Sequence, residues 1–195
     1  MGDDFRPRVS GHSTRRAFRM TAEVSREAAQ SILRGTEERL DDGALLITLT
    51  LEFDGRSPFP LGSRHTTPQG GVFPVRIFPP LWDSVAAAGR LLRGRSSEEE
   101  VKLLPTFYAL HFRREGNLGR VALVSWEKAE SVTVAETRLA LVDLGGTCWS
   151  LANSVLAGIV QHNPVLKGNL TIRRFSESLN ELSRSLSESG WRGLV

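Results

Sequence analysis

"FYALHFRREGNLGRVALVSW", residues 107–126, decides the fold class. Two apolar runs, Phe107–Arg113 and Arg120–Trp126, flank the polar REGNLG, with Gly116-Asn117 in the turn. Such runs joined by a short Gly/Asn link predict a β-hairpin. Tyr108, Leu110 and Phe112 then share one face, and His111 lies on the other. Hairpin strands are antiparallel neighbours, so the sheet around them is expected to be antiparallel.

Working outward from the hairpin gives the same answer. Leu45, Ile47, Leu49, Leu51 and Phe53 alternate with Leu46, Thr48, Thr50 and Glu52, a strict period of two that predicts a strand with one buried face. Phe18, Met20, Ala22 and Val24 alternate likewise. Ser25 is placed to cap a helix over REAAQSILR, with Gly35 just past its end. Asp41-Asp42-Gly43 reads as a turn, residues 54–71 as a long Pro/Gly loop, and VFPVRIF as an edge strand because of Pro74. Pro79-Pro80 is expected to stop that strand, and Trp82–Leu92 to be helical. GRSSEEE, from Gly94, reads as a charged loop or a helical turn.

Beyond the hairpin, Val132–Val134 and Arg138–Val142 predict one or two further strands. Trp149–Val160 predicts a helix broken by Asn163-Pro164, Leu170–Arg173 a short strand, and Ser176–Ser189 a last helix ended by Gly190. The sum is an α+β domain over residues 17–189. A mostly antiparallel sheet of about seven strands is covered by about four helices. A flexible Arg-rich arm is expected at 1–16 and a C-terminal tail at 190–195, where Trp191 and Leu194 suggest docking against something.

The composition, 40% hydrophobic and 24% charged, indicates a globular chain. No run approaches the roughly 18 apolar residues of a membrane span, and the N-terminus has no apolar secretory segment. One cysteine allows neither an internal disulfide nor a multi-cysteine zinc site, so a reducing, cytoplasmic location without metal or cofactor is expected. Of 25 basic residues 22 are Arg, which favours forked contacts with phosphate or carboxylate. Residues 1–20 hold Arg6, Arg8, Arg15, Arg16 and Arg19 against Asp3 and Asp4, a surplus of three that equals the net charge of the whole chain.

One segment resembles chemistry. "LVDLGGTCWSLANSVLAG", residues 141–158, holds a carboxylate, two glycines and the only cysteine. Asp143-Leu144-Gly145-Gly146-Thr147 resembles the first phosphate segment of actin-like sugar kinases, but the 48 residues that follow cannot supply the rest of such a site. Gly146-Thr147-Cys148-Trp149-Ser150 resembles the nucleophile segment of papain-like cysteine proteases. The resemblance implies a thiol hydrolase with Cys148 at a helix N-terminus and His111 or His65 as its base; Asp143 or Asn153 would orient the histidine. His162 would be about 20 Å away, at the other end of that helix. The plain alternative is a strand ending at Asp143, a Gly145-Gly146 turn, and a helix capped by Thr147. Arg173-Arg174-Phe175-Ser176 resembles a basophilic kinase target.

No Walker loop, GxGxxG, HExxH or GxSxG is present. The favoured function is therefore non-enzymatic binding or assembly. The N-terminal arginines, with Arg90, Arg93 and Arg95 after the second long helix and Arg113, Arg114 and Arg120 beside the hairpin turn, would contact nucleic acid, RNA before DNA, or an anionic membrane surface. Phe73, Phe78, Phe107 and Tyr108 are the aromatics that could stack on bases. Small viral structural, matrix, movement or silencing-suppressor proteins share this Arg-rich, motif-poor composition and would act in the cytoplasm of an infected cell. Self-association is expected. A protein-interaction adaptor without a nucleic-acid role is the further alternative.

Overall fold

The computed structural model describes residues 17–40, 45–59, 72–126 and 130–191, with backbone alone at 72–74. The 1–16 arm, the Asp41-Asp42-Gly43 turn, His65 and Leu194 lie outside the described residues. The chain forms β1 (Phe18–Val24), α1 (Arg26–Arg34), β2 (Leu46–Phe53), β3 (Val72–Arg76), α2 (Phe78–Leu92), β4 (Glu98–Lys102), β5 (Tyr108–Glu115), β6 (Leu118–Ser125), β7 (Val132–Ala140), α3 (Leu141–His162) and α4 (Leu170–Glu188), with a 3-10 turn at Pro164–Gly168.

The fold is α+β and antiparallel, but the strands form two sheets instead of one. The first has the order β1-β2-β3 and the second β4-β5-β6-β7. Every neighbour in each sheet is also a sequence neighbour, so both are plain meanders. The break falls where α2 separates β3 from β4. β2 alternates as its sequence predicts, with Ile47, Leu49, Leu51 and Phe53 buried and the intervening residues half-buried. β3 is an edge strand, where Pro74 withholds no ladder hydrogen bond. The β5–β6 hairpin turns at Gly116, whose φ of +67° is the left-handed conformation glycine adopts freely.

Buried side chains from both sheets and from all four helices make one continuous apolar cluster. α2, α3 and α4 pack on one another; α2 lies against β4 and β5, and α3 spans from β1 to β6 and β7. The helices thus cover one face of the four-stranded sheet, through Val101, Leu110, Phe112, Val121 and Leu123, each essentially fully buried. Among the described residues no helix covers the other face, where Ala109, Ala122 and Val124 are buried between exposed or half-buried polar side chains. Two buried asparagines, at either end of the 3-10 turn between α3 and α4, tie that segment to the end of α1 and the residues after it. Asn163 Nδ2 donates to the carbonyls of Ile32 and Gly35 at 2.9 Å each, and Asn169 Nδ2 to those of Thr36 and Glu37.

Four expectations fail for identifiable reasons. GRSSEEE leads into a strand, β4, because Val101 is fully buried and the glutamates pair across the ladder. Pro79 and Pro80 do not merely end β3. They occupy the first turn of α2, where a missing N–H costs nothing. Leu170 begins a helix, not a strand, because the Asn169 side chain accepts from the N–H groups of Thr171 and Ile172 as an N-cap. The kinase-like Arg-Arg-Phe-Ser run is consequently helical, with Phe175 fully buried.

The fourth concerns the 141–158 segment, which is helical throughout. α3 starts at Leu141, whose N–H is taken by the carbonyl of Asn117 in the hairpin turn. There is no Gly-Gly turn, and Thr147 is no cap; its hydroxyl donates back to the carbonyl of Asp143. The glycines serve helix packing. A Cβ at Gly145 would meet Leu92 Cδ1 at 2.8 Å and Leu186 Cδ2 at 2.9 Å, and one at Gly146 would meet Trp191 Nε1 at 2.6 Å. Trp191 docks there on its own chain, edge-on to Trp149 with ring centroids 5.7 Å apart.

Candidate anion-binding surface

α3 decides the fate of Cys148. The cysteine sits about two turns inside the helix rather than at its N-terminus, so the dipole of the first turn does not reach it. It is 1% exposed, and burial pushes the thiol up to about 12. His111 stands on the outer face of the four-stranded sheet, where its Nε2 meets Glu100 Oε2 at 2.9 Å. Thiol and imidazole therefore occupy the core and an outer surface. Asp143 and Asn153 are exposed on α3, and His162 is its last residue. The described residues thus assemble no thiol–imidazole pair, because the helix begins eight residues before the predicted start at Trp149.

The arginines fall into two groups, separated by strand parity. Glu99 and Arg114 face α2, whereas Glu98 and Arg113 face outward. On the helix side, Arg90, Arg93, Arg95 and Arg114 surround the last turn of α2, the negative end of its dipole. Arg90 grips Glu99 through Nε at 2.7 Å and Nη2 at 2.6 Å. That fork holds the Glu99 carboxyl below its ordinary range and raises the Arg90 guanidinium. Arg93 donates to Ser185 Oγ at 3.0 Å, and Arg114 to the carbonyls of Leu91 and Gly116. Arg95 is exposed. Arg90, Arg93 and Arg114 thus join the end of α2 to β4, to α4 and to the hairpin.

The outer group forms a row. Arg113 lies opposite Arg120 on β6, and Arg120 opposite Arg138 on β7. Glu98 approaches Arg113 at 3.2 Å, Glu115 approaches Arg138 at 3.2 Å, and Glu136 pairs with Arg120. Below this row the face holds a groove of about 430 Å³, with Ala122 and Val124 on its floor and Glu100, His111 and Thr133 around it. At the far end, Lys102 Nζ stands 5.4 Å from the Trp126 ring centroid, and Phe107 is 56% exposed. Of the other candidate aromatics, Phe78 and Tyr108 are buried in the core, and the Phe73 side chain lies outside the described residues.

Arg19 extends from β1 and meets Glu52 at 3.8 Å, away from both groups in the first sheet. Arg6, Arg8, Arg15 and Arg16 lie outside the described residues. Arg138 and Trp126 did not stand out in the sequence. The signal available for them was the outward alternation Glu136–Arg138 and the position of Trp126 one residue after β6. No group of three or more His, Cys, Asp or Glu side chains among the described residues could hold a metal ion, and no described helix is long and apolar enough to cross a membrane.

No protein-family model, no curated protein and no solved structure matches the chain.

Proposed function

We propose that the protein is a non-enzymatic binding and assembly protein that holds a polyanion, RNA before DNA or an anionic membrane surface, through arginine. Such a role is of the kind that small viral structural, matrix, movement and silencing-suppressor proteins fill. One observation carries the reading. Residues 1–16 hold Arg6, Arg8, Arg15 and Arg16 against Asp3 and Asp4, a surplus of two of the net +3, while in the described body carboxylates pair with Arg19, Arg90, Arg113, Arg120 and Arg138. Long-range attraction of an anion therefore rests on Arg6, Arg8, Arg15 and Arg16. The burial of Cys148, which raises its thiol, weighs against the thiol-hydrolase alternative, since the thiolate is the nucleophilic form.

The test is the full chain with Arg6, Arg8, Arg15 and Arg16 changed to Gln, titrated into labelled oligouridine at several salt concentrations. Each lost contact to a single strand should reduce the slope of log affinity against log salt by about 0.7, about 3 in total. Unchanged affinity and slope would refute the reading. Binding to phosphatidylserine vesicles but not to oligouridine would move it to the membrane surface. The substitutions are preferable to truncation through Arg19, because Phe18 is fully buried in β1.

A further inference from the structure

We infer that the outer face of the four-stranded sheet, the one its helices leave uncovered among the described residues, is a track for single-stranded RNA, with Arg113, Arg120 and Arg138 on phosphates and Trp126 and Phe107 stacking on bases. This rests on the RNA-binding reading above and adds a structured site to the N-terminal arginines.

The first argument is the register. Opposite charges facing each other across strands stabilise a sheet, and like charges directly opposite destabilise it. The face follows that rule at Glu98–Arg113 and Glu100–His111. It breaks the rule twice in succession, at Arg113–Arg120 and Arg120–Arg138. Three guanidinium groups thus stand on adjacent strands across about 10 Å. Glu98, Glu136 and Glu115 offset them, but Arg113, Glu98 and Arg138 are 55%, 65% and 64% exposed. Ion pairs so exposed contribute little and break at little cost. A phosphate can therefore displace a carboxylate and take the planar fork of donors that arginine offers.

The second argument is what shares the face. The backbone N–H of Trp126 donates to the carbonyl of Phe107, which sets these two aromatic residues opposite each other at the far ends of the neighbouring strands β5 and β6. Six residues separate Phe107 from Arg113, about 20 Å of strand, long enough for several nucleotides. The other three tryptophans pack elsewhere, Trp82 on Phe175 and Trp149 on Trp191. Lys102 beside Trp126 adds a cation next to the stacking platform. Aromatic residues at one end and arginines at the other suit a flexible strand with exposed bases.

Titration of labelled oligouridine into the full chain, its N-terminal arginines intact, tests this. Changing Arg113, Arg120 and Arg138 together to Gln should make the salt slope shallower by about 2. Changing Trp126 to Ala should weaken binding about tenfold without altering the slope, since stacking releases no counterions. Tryptophan fluorescence of the unaltered chain should be quenched by RNA, and Trp126→Phe should abolish the quenching, which needs no arginine variant to fold. An unchanged slope in the folded triple variant would overturn the track, whereas the separate substitution of the N-terminal arginines would still decide the broader reading. Failure of the unaltered chain to bind oligouridine would overturn the track, and the broader reading would then stand or fall on the phosphatidylserine vesicles. Inorganic polyphosphate binding as tightly as RNA, without quenching, would overturn the assignment to RNA.

Discussion

Gly146→Ala should change sign with its background. In the native chain the added methyl would lie 2.6 Å from Trp191 Nε1, 2.7 Å from Cε2 and 2.9 Å from Cζ2, so the indole must leave. That forfeits the half-buried packing of Trp191 and its edge-on contact with Trp149, worth about 2–3 kcal/mol. Against this, alanine is better than glycine inside a helix by about 1 kcal/mol. The net expectation is destabilisation by about 1–2 kcal/mol. With Trp191→Ala already in place there is nothing to displace. Only the helix term remains, and Gly146→Ala should then stabilise by about 1 kcal/mol. Urea unfolding followed by far-ultraviolet circular dichroism on the four chains of this cycle measures the coupling, about 2–3 kcal/mol. The same sign in both backgrounds would refute the view that Gly146 exists to admit Trp191.

The other expectations concern two buried polar side chains, Cys148 and Asn163. Cys148 should resist iodoacetamide at about pH 8 until the protein unfolds, and rapid alkylation of the folded chain would contradict its burial. An unfolded thiol ionises from about pH 9, whereas the folded one keeps its proton up to about 12, so stability should fall as pH rises across that window and fall less in Cys148→Ala. Asn163→Ala removes two donors to the buried end of α1 and one acceptor for Val165 N–H, and should cost about 3 kcal/mol in urea unfolding. Asn163→Asp should cost more at neutral pH, because a carboxylate would face two carbonyl oxygens, and an aspartate variant more stable than the alanine one would be inconsistent with that geometry.

What could be read from the chain followed physical range. β2, the β5–β6 hairpin and α1 were legible because alternation, a Gly-Asn turn and a Ser25 cap act within a few residues. β4 was not, because Glu98, Glu99 and Glu100 carry low strand propensity, and the burial of Val101 and pairing with Arg113, Arg90 and His111, all outside the segment's local pattern, make the extended form favourable. Gly145-Gly146 misled for the same reason. Locally the pair favours a turn, and its reason for lying in a helix is contact with Leu92, Leu186 and Trp191. The two-sheet division depends on how α2 inserts between β3 and β4, which no local pattern encodes. At the candidate site, residue types were legible and pairing was not. Arg113 and Arg120 could be named, yet their opposition to each other and to Arg138 depends on hairpin register.

The sheet edges bear on how copies could associate. An unprotected edge strand invites a second chain to add to it, and the described edges carry features that discourage this. β3 has Pro74, which offers no N–H at that point. β4 presents three consecutive glutamates. β7 shifts register against β6 beside Val124, and Thr137 Oγ1 donates to Asp54 Oδ1 at 2.8 Å, which ties the strand to the turn after β2. β1 places charged Arg19 and Glu23 on its exposed positions. Strand addition is thus the route least open to a second copy. A face-to-face pairing of the outer sheet faces would bring rows of arginine together unless an anion lay between them. Self-association, as proposed here, is then favoured by the same ligand that the arginine row would bind, and removing RNA should loosen both together.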